Sequence, residues 1–237
     1  MSVIDYALDE SVAIITMNNG ENRFNPDFLD AFLNVLDEIE NDTEAKTVIV
    51  TSAHEKIFTN GLDLEWLVPI IQKGEVKTAQ DFFFKLNVLF KRVVTYPMIT
   101  IAAISGHAFA GGAIFTGAFD FRFMRSDRGF FCLPEVDLGI PFLPGMLALL
   151  GKAIPPYKFN EMQYTGMRLT AKDCEEHHIV MKALHIDDLM NETLAFAKGL
   201  NKNRNTVKEM KKRMNRHVVH CLDVEDVPYI ESGKFNI

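Results

Sequence analysis

The sequence predicts an α/β fold that ends in a helical region. Two apolar, β-branched runs, Val12 to Met17 and Thr47 to Ser52, flank an amphipathic segment from Pro26 to Glu40. Such runs indicate buried strands, and apolar residues at helical spacing indicate a helix packed against them. Strands and helices alternate as far as Leu150, and helices dominate from Pro156 onward. We therefore expect buried sheets first and helices after them.

The middle elements have recognisable ends. Asn25 suits an N-cap and Pro26 suits the first turn of the first helix. A second helix, Thr78 to Thr95, carries an apolar and aromatic stripe, which we interpret as core because helical spacing explains it. The strand Met98 to Ile104 follows, and the run Asp120 to Met124 alternates as a strand does.

Three further helices are predicted after Pro156. They cover Thr170 to His178, Ile186 to Leu200 and Thr206 to Leu222. The last helix contains a basic run, either a solvated helix face or a surface that attracts anionic phosphates. This run consists of Lys208, Lys211, Lys212, Arg213 and Arg216.

The bulk composition excludes several classes of protein. The chain has 237 residues, of which 48% are hydrophobic and 24% charged, as in an ordinary globular protein. This length fits one large domain, or one domain with a helical appendage. The net charge of −7 disfavours binding to nucleic acid or to an anionic membrane. No run approaches the roughly 18 apolar residues that a membrane span needs.

The compartment expected from the sequence is the cytoplasm. Cys132, Cys174 and Cys221 form no CxxC spacing and are odd in number, which fits reduced thiols in an intracellular protein. The first residues, MSVIDYALDE, lack the apolar core of an export signal and the pattern of a transit peptide. The final KFNI does not match the peroxisomal signal S-K-L.

Two glycine-bearing loops are the candidate site. They run from Lys56 to Leu67 and from Ser105 to Asp120, and each follows an apolar, strand-like run. Taken singly, Gly61 and the pair Gly111–Gly112 are explained by turn formation; together they suggest loops whose backbone approaches a ligand closely. One N–H from each loop can hold a developing oxyanion, and Glu135 just downstream can move a proton. The pattern predicts enolate chemistry.

Five motifs then occur in an order that resembles the crotonase (enoyl-CoA hydratase/isomerase) superfamily: TNGLDL, AISGHAFAGGA, FDFRFM, LPEVDLGIPFLPG and TGMRLTA. The resemblance runs from about Val12 to Val180. It implies a spiral of ββα turns over residues 1–180 and a helical region, 181–237, that assembles the trimer. It also implies an acyl-CoA substrate bound with its carbonyl in an oxyanion hole. Coenzyme A is then part of the substrate, and no separate cofactor is expected.

The resemblance also assigns the catalytic groups. The two oxyanion donors fall on the backbone N–H groups of Leu62 and Gly111. Hydratases of this family use two glutamates; the first falls on Ile114 and the second on Glu135. A single carboxylate suffices to move a proton from C2 to C4 of an acyl chain, and LPEVDLGIPF is similar to monofunctional Δ3,Δ2-enoyl-CoA isomerases. We expect conversion of 3-enoyl-CoA to trans-2-enoyl-CoA, as in the oxidation of unsaturated fatty acids.

Two alternatives stay open. The protein can be another single-carboxylate family member, including a weak hydratase that uses Asp137 or a substrate-oriented water. It can also be a non-catalytic scaffold or RNA-binding homologue that uses the basic run, although the retained glycines and Glu135 argue against this. If the segment were a strand, Asp137 would face the same side as Glu135. For Asp120 we expect a structural hydrogen-bonding role.

By motif position, coenzyme A contacts fall on Arg23 and on Thr59, Gly61 and Asp63. The charge of Arg23 suits a phosphate, and a solvated arginine is the alternative.

No metal is expected. We expect His217 and His220 to lack a cysteine or acidic partner at ligand spacing. The chain contains neither GxGxxG nor GxxxxGK[ST], so dinucleotide and nucleotide sites are not predicted. As partners we expect an acyl-CoA substrate and further copies of the chain, as a homotrimer or a dimer of trimers.

Overall fold

The computed structural model describes residues 3–235, which form two β-sheets surrounded by helices. The strands are β1 (Ile4–Asp9), β2 (Val12–Met17), β3 (Thr47–Ser52), β4 (Ile57–Thr59), β5 (Ile99–Ile104), β6 (His107–Phe109), β7 (Phe121–Arg125), β8 (Phe131–Cys132), β9 (Arg168–Leu169) and β10 (Lys182–Leu184). The helices are α1 (Pro26–Asp42), α2 (Leu64–Gln72), α3 (Val76–Val94), α4 (Gly111–Thr116), α5 (Glu135–Leu138), α6 (Pro144–Ala153), α7 (Pro156–Thr165), α8 (Ala171–Glu176), α9 (Ile186–Lys198), α10 (Arg204–Met214), α11 (Arg216–His220) and α12 (Val227–Glu231). A π-helical turn, Cys221–Glu225, joins the last two helices.

The chain winds as a spiral between the two sheets. The first sheet has the order β1-β2-β3-β5-β7-β10 and is parallel except between β1 and β2. The second has the order β4-β6-β8-β9 and is parallel except between β8 and β9. The pairs β3–β4, β5–β6 and β7–β8 each add one strand to each sheet, and each is followed by a helix. The predicted spiral of ββα turns is therefore confirmed.

The burial of each strand explains which strands can be predicted from the sequence. Five of the six residues of β3, TVIVTS, are buried, as expected for a parallel strand covered on both faces. The bounds of β2 and β3 agree with those predicted. Three residues of β1 are exposed, and its mixture of acidic and apolar residues gave no strand prediction.

The helix α1 begins as predicted. The Asn25 side chain accepts a hydrogen bond from the Phe28 N–H at 3.0 Å, and Pro26 occupies the first turn. Its buried face carries Phe32, whose ring meets that of Phe115 in α4 edge to face, with centroids 5.4 Å apart. This contact ties the first long helix to the short helix that opens the candidate site.

Two partly buried cations hold the other end of α4. The Lys152 ammonium donates to the carbonyl oxygens of Gly117 and Phe119 at 3.2 and 2.7 Å. The Arg122 guanidinium donates to Phe119 O at 3.0 Å and to Thr116 O at 3.3 Å. Positive groups at a helix C-terminus satisfy carbonyls that lack intrahelical partners, so these contacts fix α4 in place.

The region after residue 180 is not wholly helical. Strand β10 pairs with β7 and extends the first sheet. The helix predicted from Thr206 to Leu222 is divided into α10, α11 and the π-helical turn. The division begins at Asn215, which is buried and donates from its side chain to Val94 O at 3.0 Å. This bond anchors the junction against α3. Within residues 3–235, no helix is both long and apolar enough to cross a membrane.

The predicted basic face of α10 is divided as well. Lys211 is buried, with its ammonium 2.5 Å from Asp120 Oδ2 and 2.7 Å from Met98 O. It therefore cannot meet a phosphate at the surface, which corrects that part of the basic-run hypothesis. Asp120 also accepts a hydrogen bond from the Thr100 N–H at 2.8 Å, so its predicted structural role is confirmed.

Candidate active site

Three groups converge at one edge of the second sheet. Strands β4, β6 and β8 are parallel neighbours, so their carboxyl ends meet at the same edge. Leu62, Gly111 and Glu135 each follow one of these strands within three residues. All three line a single cavity of about 330 Å³.

The main chains of the two glycine loops touch. Gly61 has φ +76°, and a Cβ there would lie 2.5 Å from the Gly111 nitrogen. A Cβ on Gly112 would lie 2.1 Å from Thr59 O. Within the described part of the chain, neither the Leu62 N–H nor the Gly111 N–H donates a hydrogen bond to the protein. The loops therefore bring together two backbone donors that remain available to a ligand oxygen.

The junction between β6 and α4 is strained. Ala110 has φ +51° and ψ −125°, a region that side-chain-bearing residues rarely adopt. Its N–H donates to Cys132 O in the neighbouring strand at 3.0 Å, which holds this conformation. Strain of this kind is common where a loop must aim a functional group, here the first amide of α4.

Glu135 carries a buried carboxyl group. Its side chain is 5% exposed, and its Oε2 has no hydrogen-bond partner among the described residues. Burial raises the pKa of Glu135 to about 7, although its own backbone N–H acts in the opposite direction. A desolvated carboxylate binds a proton more tightly than one in water, which suits proton abstraction near neutral pH.

The cavity around this carboxylate is apolar. Among the described residues that line it, Glu135 is the one carboxylate, and Ile114, 2% exposed, is one of the apolar residues. Other apolar walls come from Leu86, Phe90, Phe142, Leu143 and Met146. Such a cavity can enclose an alkyl or alkenyl chain while two amides and a carboxylate reach its polar end.

Comparisons with known proteins decide the family. The family profile described as Enoyl-CoA hydratase/isomerase matches residues 7–231. The chain belongs to the enoyl-CoA hydratase/isomerase family. The crotonase resemblance predicted from the motifs is thereby confirmed.

Relatives in this family have different named activities. The chain is 32% identical to Enoyl-CoA delta isomerase 3 of Arabidopsis thaliana over 169 residues, 70% of this chain and 69% of that protein. It is 36% identical to the peroxisomal Enoyl-CoA delta isomerase 2 of the same plant, over 57% of this chain and 56% of that protein. It is also 28% identical to the Short-chain-enoyl-CoA hydratase of Clostridium acetobutylicum, over 94% of this chain and 84% of that protein.

A solved enoyl-CoA hydratase/isomerase family protein from Pseudomonas syringae superposes with a TM-score of 0.87. The match has 26% sequence identity and covers 97% of each chain. Shared architecture thus extends through the C-terminal helices.

The residues predicted to bind coenzyme A make internal contacts in this family member. The buried Thr59 hydroxyl donates to Asn22 O at 2.7 Å and accepts the Gly61 N–H at 3.1 Å. The Asp63 carboxylate caps α2 through the Trp66 N–H at 3.2 Å. These bonds shape the first of the two glycine-bearing loops, and direct contacts with coenzyme A stay predictions.

Arg23 lies in a polar recess that Asp63 also lines. Its guanidinium forms ion pairs with Glu21 and Glu65, both at 2.7 Å. A phosphate would have to share or displace these carboxylates, so binding of coenzyme A at Arg23 stays a prediction.

The condition on which Asp137 would face the same side as Glu135 is not met. The segment that carries Glu135 is the helix α5 and not a strand, so Asp137 does not face the same side. Asp137 is exposed and does not line the cavity. An ideal Cβ on Gly166 would meet its Oδ2, which places the carboxylate beside that turn.

Sequence reasoning missed one wall of the cavity. Helix α3 contributes Phe83, Leu86 and Phe90 to one side of the cavity. Residues after α12 close another side, where the Phe235 ring stacks on Phe83 with centroids 4.8 Å apart. No motif marks that segment, because its role depends on packing against α3.

A second omission concerns the C-terminal histidines. The expectation that His217 lacks a cysteine or acidic partner is wrong. Ligand atoms of His217, Cys221 and Glu225 all lie within 4.8 Å of one another. The available signal was their repeated spacing of four residues, which places side chains on one helix face.

Proposed function

We propose that this protein is a Δ3,Δ2-enoyl-CoA isomerase, which converts 3-enoyl-CoA to trans-2-enoyl-CoA. The observation that carries the proposal is the lone carboxylate, Glu135, in an apolar cavity lined also by Leu62 and Gly111. The delta isomerase names of two Arabidopsis relatives support the same reaction.

The proposed reaction needs one base and an oxyanion hole. Ionised Glu135 removes a proton from C2 of the acyl chain, and the electron pair moves toward the thioester oxygen. The N–H groups of Leu62 and Gly111 stabilise that negative charge. Protonated Glu135 then returns the proton to C4, and the double bond moves from C3–C4 to C2–C3. Each oxyanion donor contributes about 3 kcal/mol of transition-state stabilisation.

The absence of a second carboxylate from the described lining supports isomerisation over hydration. Addition of water requires a positioned water and a proton donor at carbon, which two carboxylates supply together. Ile114 occupies the position that the family resemblance gives to the first of them. An apolar side chain there also keeps water from the dienolate intermediate.

The wider setting of the reaction is part of the proposal. Coenzyme A enters as part of the substrate, and its phosphates are expected near Arg23. The product suits the oxidation of unsaturated fatty acids.

We expect a homotrimer or a dimer of trimers, which light scattering after size-exclusion chromatography measures directly. Two Arabidopsis relatives are named peroxisomal, and a cytoplasmic location for this chain stays a prediction.

Product analysis with two substrates tests this function. The purified protein is incubated with a 3-enoyl-CoA and, separately, with a trans-2-enoyl-CoA. We expect conjugation of the first and little hydration of the second. Glu135→Gln should abolish conjugation, while Glu38→Gln, which alters an exposed glutamate of α1, should retain it. Rapid hydration without conjugation would identify a hydratase instead.

Isotope transfer tests the single base. A substrate deuterated at C2 should deliver part of its deuterium to C4, because the same carboxyl group removes and returns it. Complete loss of the label to solvent, together with an active Glu135→Gln variant, would contradict the assignment of Glu135.

A further inference from the structure

A cluster of metal-ligand side chains lies outside the cavity, where α11 joins the π-helical turn. It consists of an imidazole, a thiol and a carboxylate, from His217, Cys221 and Glu225. Their ligand atoms all lie within 4.8 Å of one another, and none of the three residues lines the candidate active site. The proposed acyl-CoA reaction does not use them.

The local helix geometry explains why these side chains meet. His217 and Cys221 are four residues apart and lie on one helix face. Between Cys221 and Glu225 the helix widens, and the Asp226 N–H donates to Cys221 O at 2.9 Å, five residues back. A wider turn has more residues per revolution, so a spacing of four again brings the side chains close. Single π-helical turns often occur at functional sites.

Buried contacts hold the widened turn in place. The Asn87 side-chain amide donates to Leu222 O at 3.1 Å and to Asp226 Oδ2 at 2.8 Å. The other oxygen of the Asp226 carboxylate accepts the Gly145 N–H at 2.7 Å. Helices α3 and α6 thus fix the turn from behind. The backbone of the cluster is arranged before any ligand arrives, which lowers the entropic cost of binding.

The donor set selects a class of metal ion. Cys221 Sγ lies 3.8 Å from both ring nitrogens of His217, a separation near that of two donors bound to one tetrahedral ion. A thiolate, an imidazole and a carboxylate together favour zinc and similar transition metals over magnesium or calcium. His220 offers a further nitrogen, 3.5 Å from Glu225 Oε1. His217 and Glu225 are exposed, so an ion can reach the buried sulfur from solvent.

We propose that His217, Cys221 and Glu225 bind one divalent transition-metal ion of the zinc type, with His220 available as a fourth ligand. On binding, the Cys221 S–H bond breaks, a sulfur–metal bond forms and one proton passes to solvent. The ion would clamp α11 to the π-helical turn. Because α12 follows directly and carries the cavity residue Tyr229, the clamp also stabilises one side of the acyl cavity.

Direct metal binding tests the proposal. Chelator-treated full-length protein is titrated with zinc in competition with a chromophoric chelator, and cobalt is used as a spectroscopic probe. We expect one ion per chain and a near-ultraviolet thiolate-to-cobalt band. His217→Ala and Glu225→Gln should each weaken zinc binding at least tenfold. Both alter exposed side chains, so folding should survive, as circular dichroism will check.

Matched variants assign the sulfur. Cys221→Ser should remove the cobalt band, while Cys174→Ser, which alters another buried cysteine, should keep it. His178→Ala, at an exposed histidine of the same chain, should leave zinc affinity unchanged. The proposal is wrong if His217→Ala and Glu225→Gln bind zinc as tightly as the unmodified protein, or if the band survives in Cys221→Ser.

Discussion

The substitution Glu135→Gln replaces a buried carboxylate, which has one unpartnered oxygen, with a neutral amide of similar shape. Burial raises the pKa of Glu135 from 4.5 to about 7, so the folded protein holds this proton more tightly than the unfolded chain does. Protonated Glu135 therefore favours the folded state. That contribution is fully present below pH 4.5 and is lost as the pH rises through 7.

The size of the loss follows from the two pKa values. The difference between about 7 and 4.5 corresponds to roughly 3 kcal/mol, at about 1.4 kcal/mol per pH unit. Glutamine does not ionise, so the Glu135→Gln variant loses no stability from this position over this pH range. The free energy of unfolding of Glu135→Gln, relative to that of the unmodified protein, should therefore grow by roughly 2 to 3 kcal/mol between pH 5 and pH 8.

Urea unfolding at the two pH values measures this difference. Glu38→Gln, at an exposed position of α1, serves as the matched control and should show a much smaller pH dependence. The same samples test catalysis, because kcat/KM of the unmodified protein should rise as the pH rises through about 7. An equal stability difference at pH 5 and pH 8 would refute the idea that Glu135 is a desolvated carboxylate with a raised pKa.

Three further substitutions test the rest of the site and its support. Gly61→Ala places a Cβ 2.5 Å from the Gly111 nitrogen and should lower kcat roughly a hundredfold. Gly20→Ala, also at positive φ but in open space, should keep the activity. Lys211→Met breaks a buried ion pair and should lower the free energy of unfolding by about 3 kcal/mol. Lys212→Met, at an exposed position, should change it by under about 0.5 kcal/mol. Equal effects of the two substitutions in thermal melts would contradict the argument from burial. Ile114→Glu supplies a second carboxylate and should raise hydration of trans-2-enoyl-CoA relative to isomerisation, which Ile114→Gln should not do. Chromatography of the products decides this, and an unchanged ratio in Ile114→Glu would count against the single-carboxylate explanation.

Much of the fold could be predicted because its long elements carry strong patterns. The runs VAIITM and TVIVTS became strands with the predicted bounds, and Asn25 and Pro26 marked the start of α1. The second sheet could not be predicted in this way. Its strands have two or three residues each, too few for a periodic signal, and they exist because neighbouring turns of the spiral pair with them.

The candidate site, like the fold, could be predicted only in part from the sequence. Motif order located Leu62, Gly111 and Glu135 because each follows a strand end at a fixed place in the spiral. The wall that contains Phe235 and the pair of Lys211 with Asp120 could not be found, because both depend on contacts between distant parts of the chain. Asp137 does not face the same side as Glu135 for a local reason: a short helical turn lies where that orientation would require a strand.

The two proposed oxyanion donors are peptide amides, and this has a consequence for how such proteins diverge. A residue exchanged at position 62 still presents a main-chain N–H, whereas any exchange at 61 or 112 would push the loops apart. Substitutions can therefore alter the lining of the cavity, and with it the preferred substrate, without removing the two amides that we propose to stabilise an enolate. Under the proposed mechanism, oxyanion stabilisation depends on the backbone, proton transfer depends on the Glu135 side chain, and the other side chains that line the cavity are free to vary.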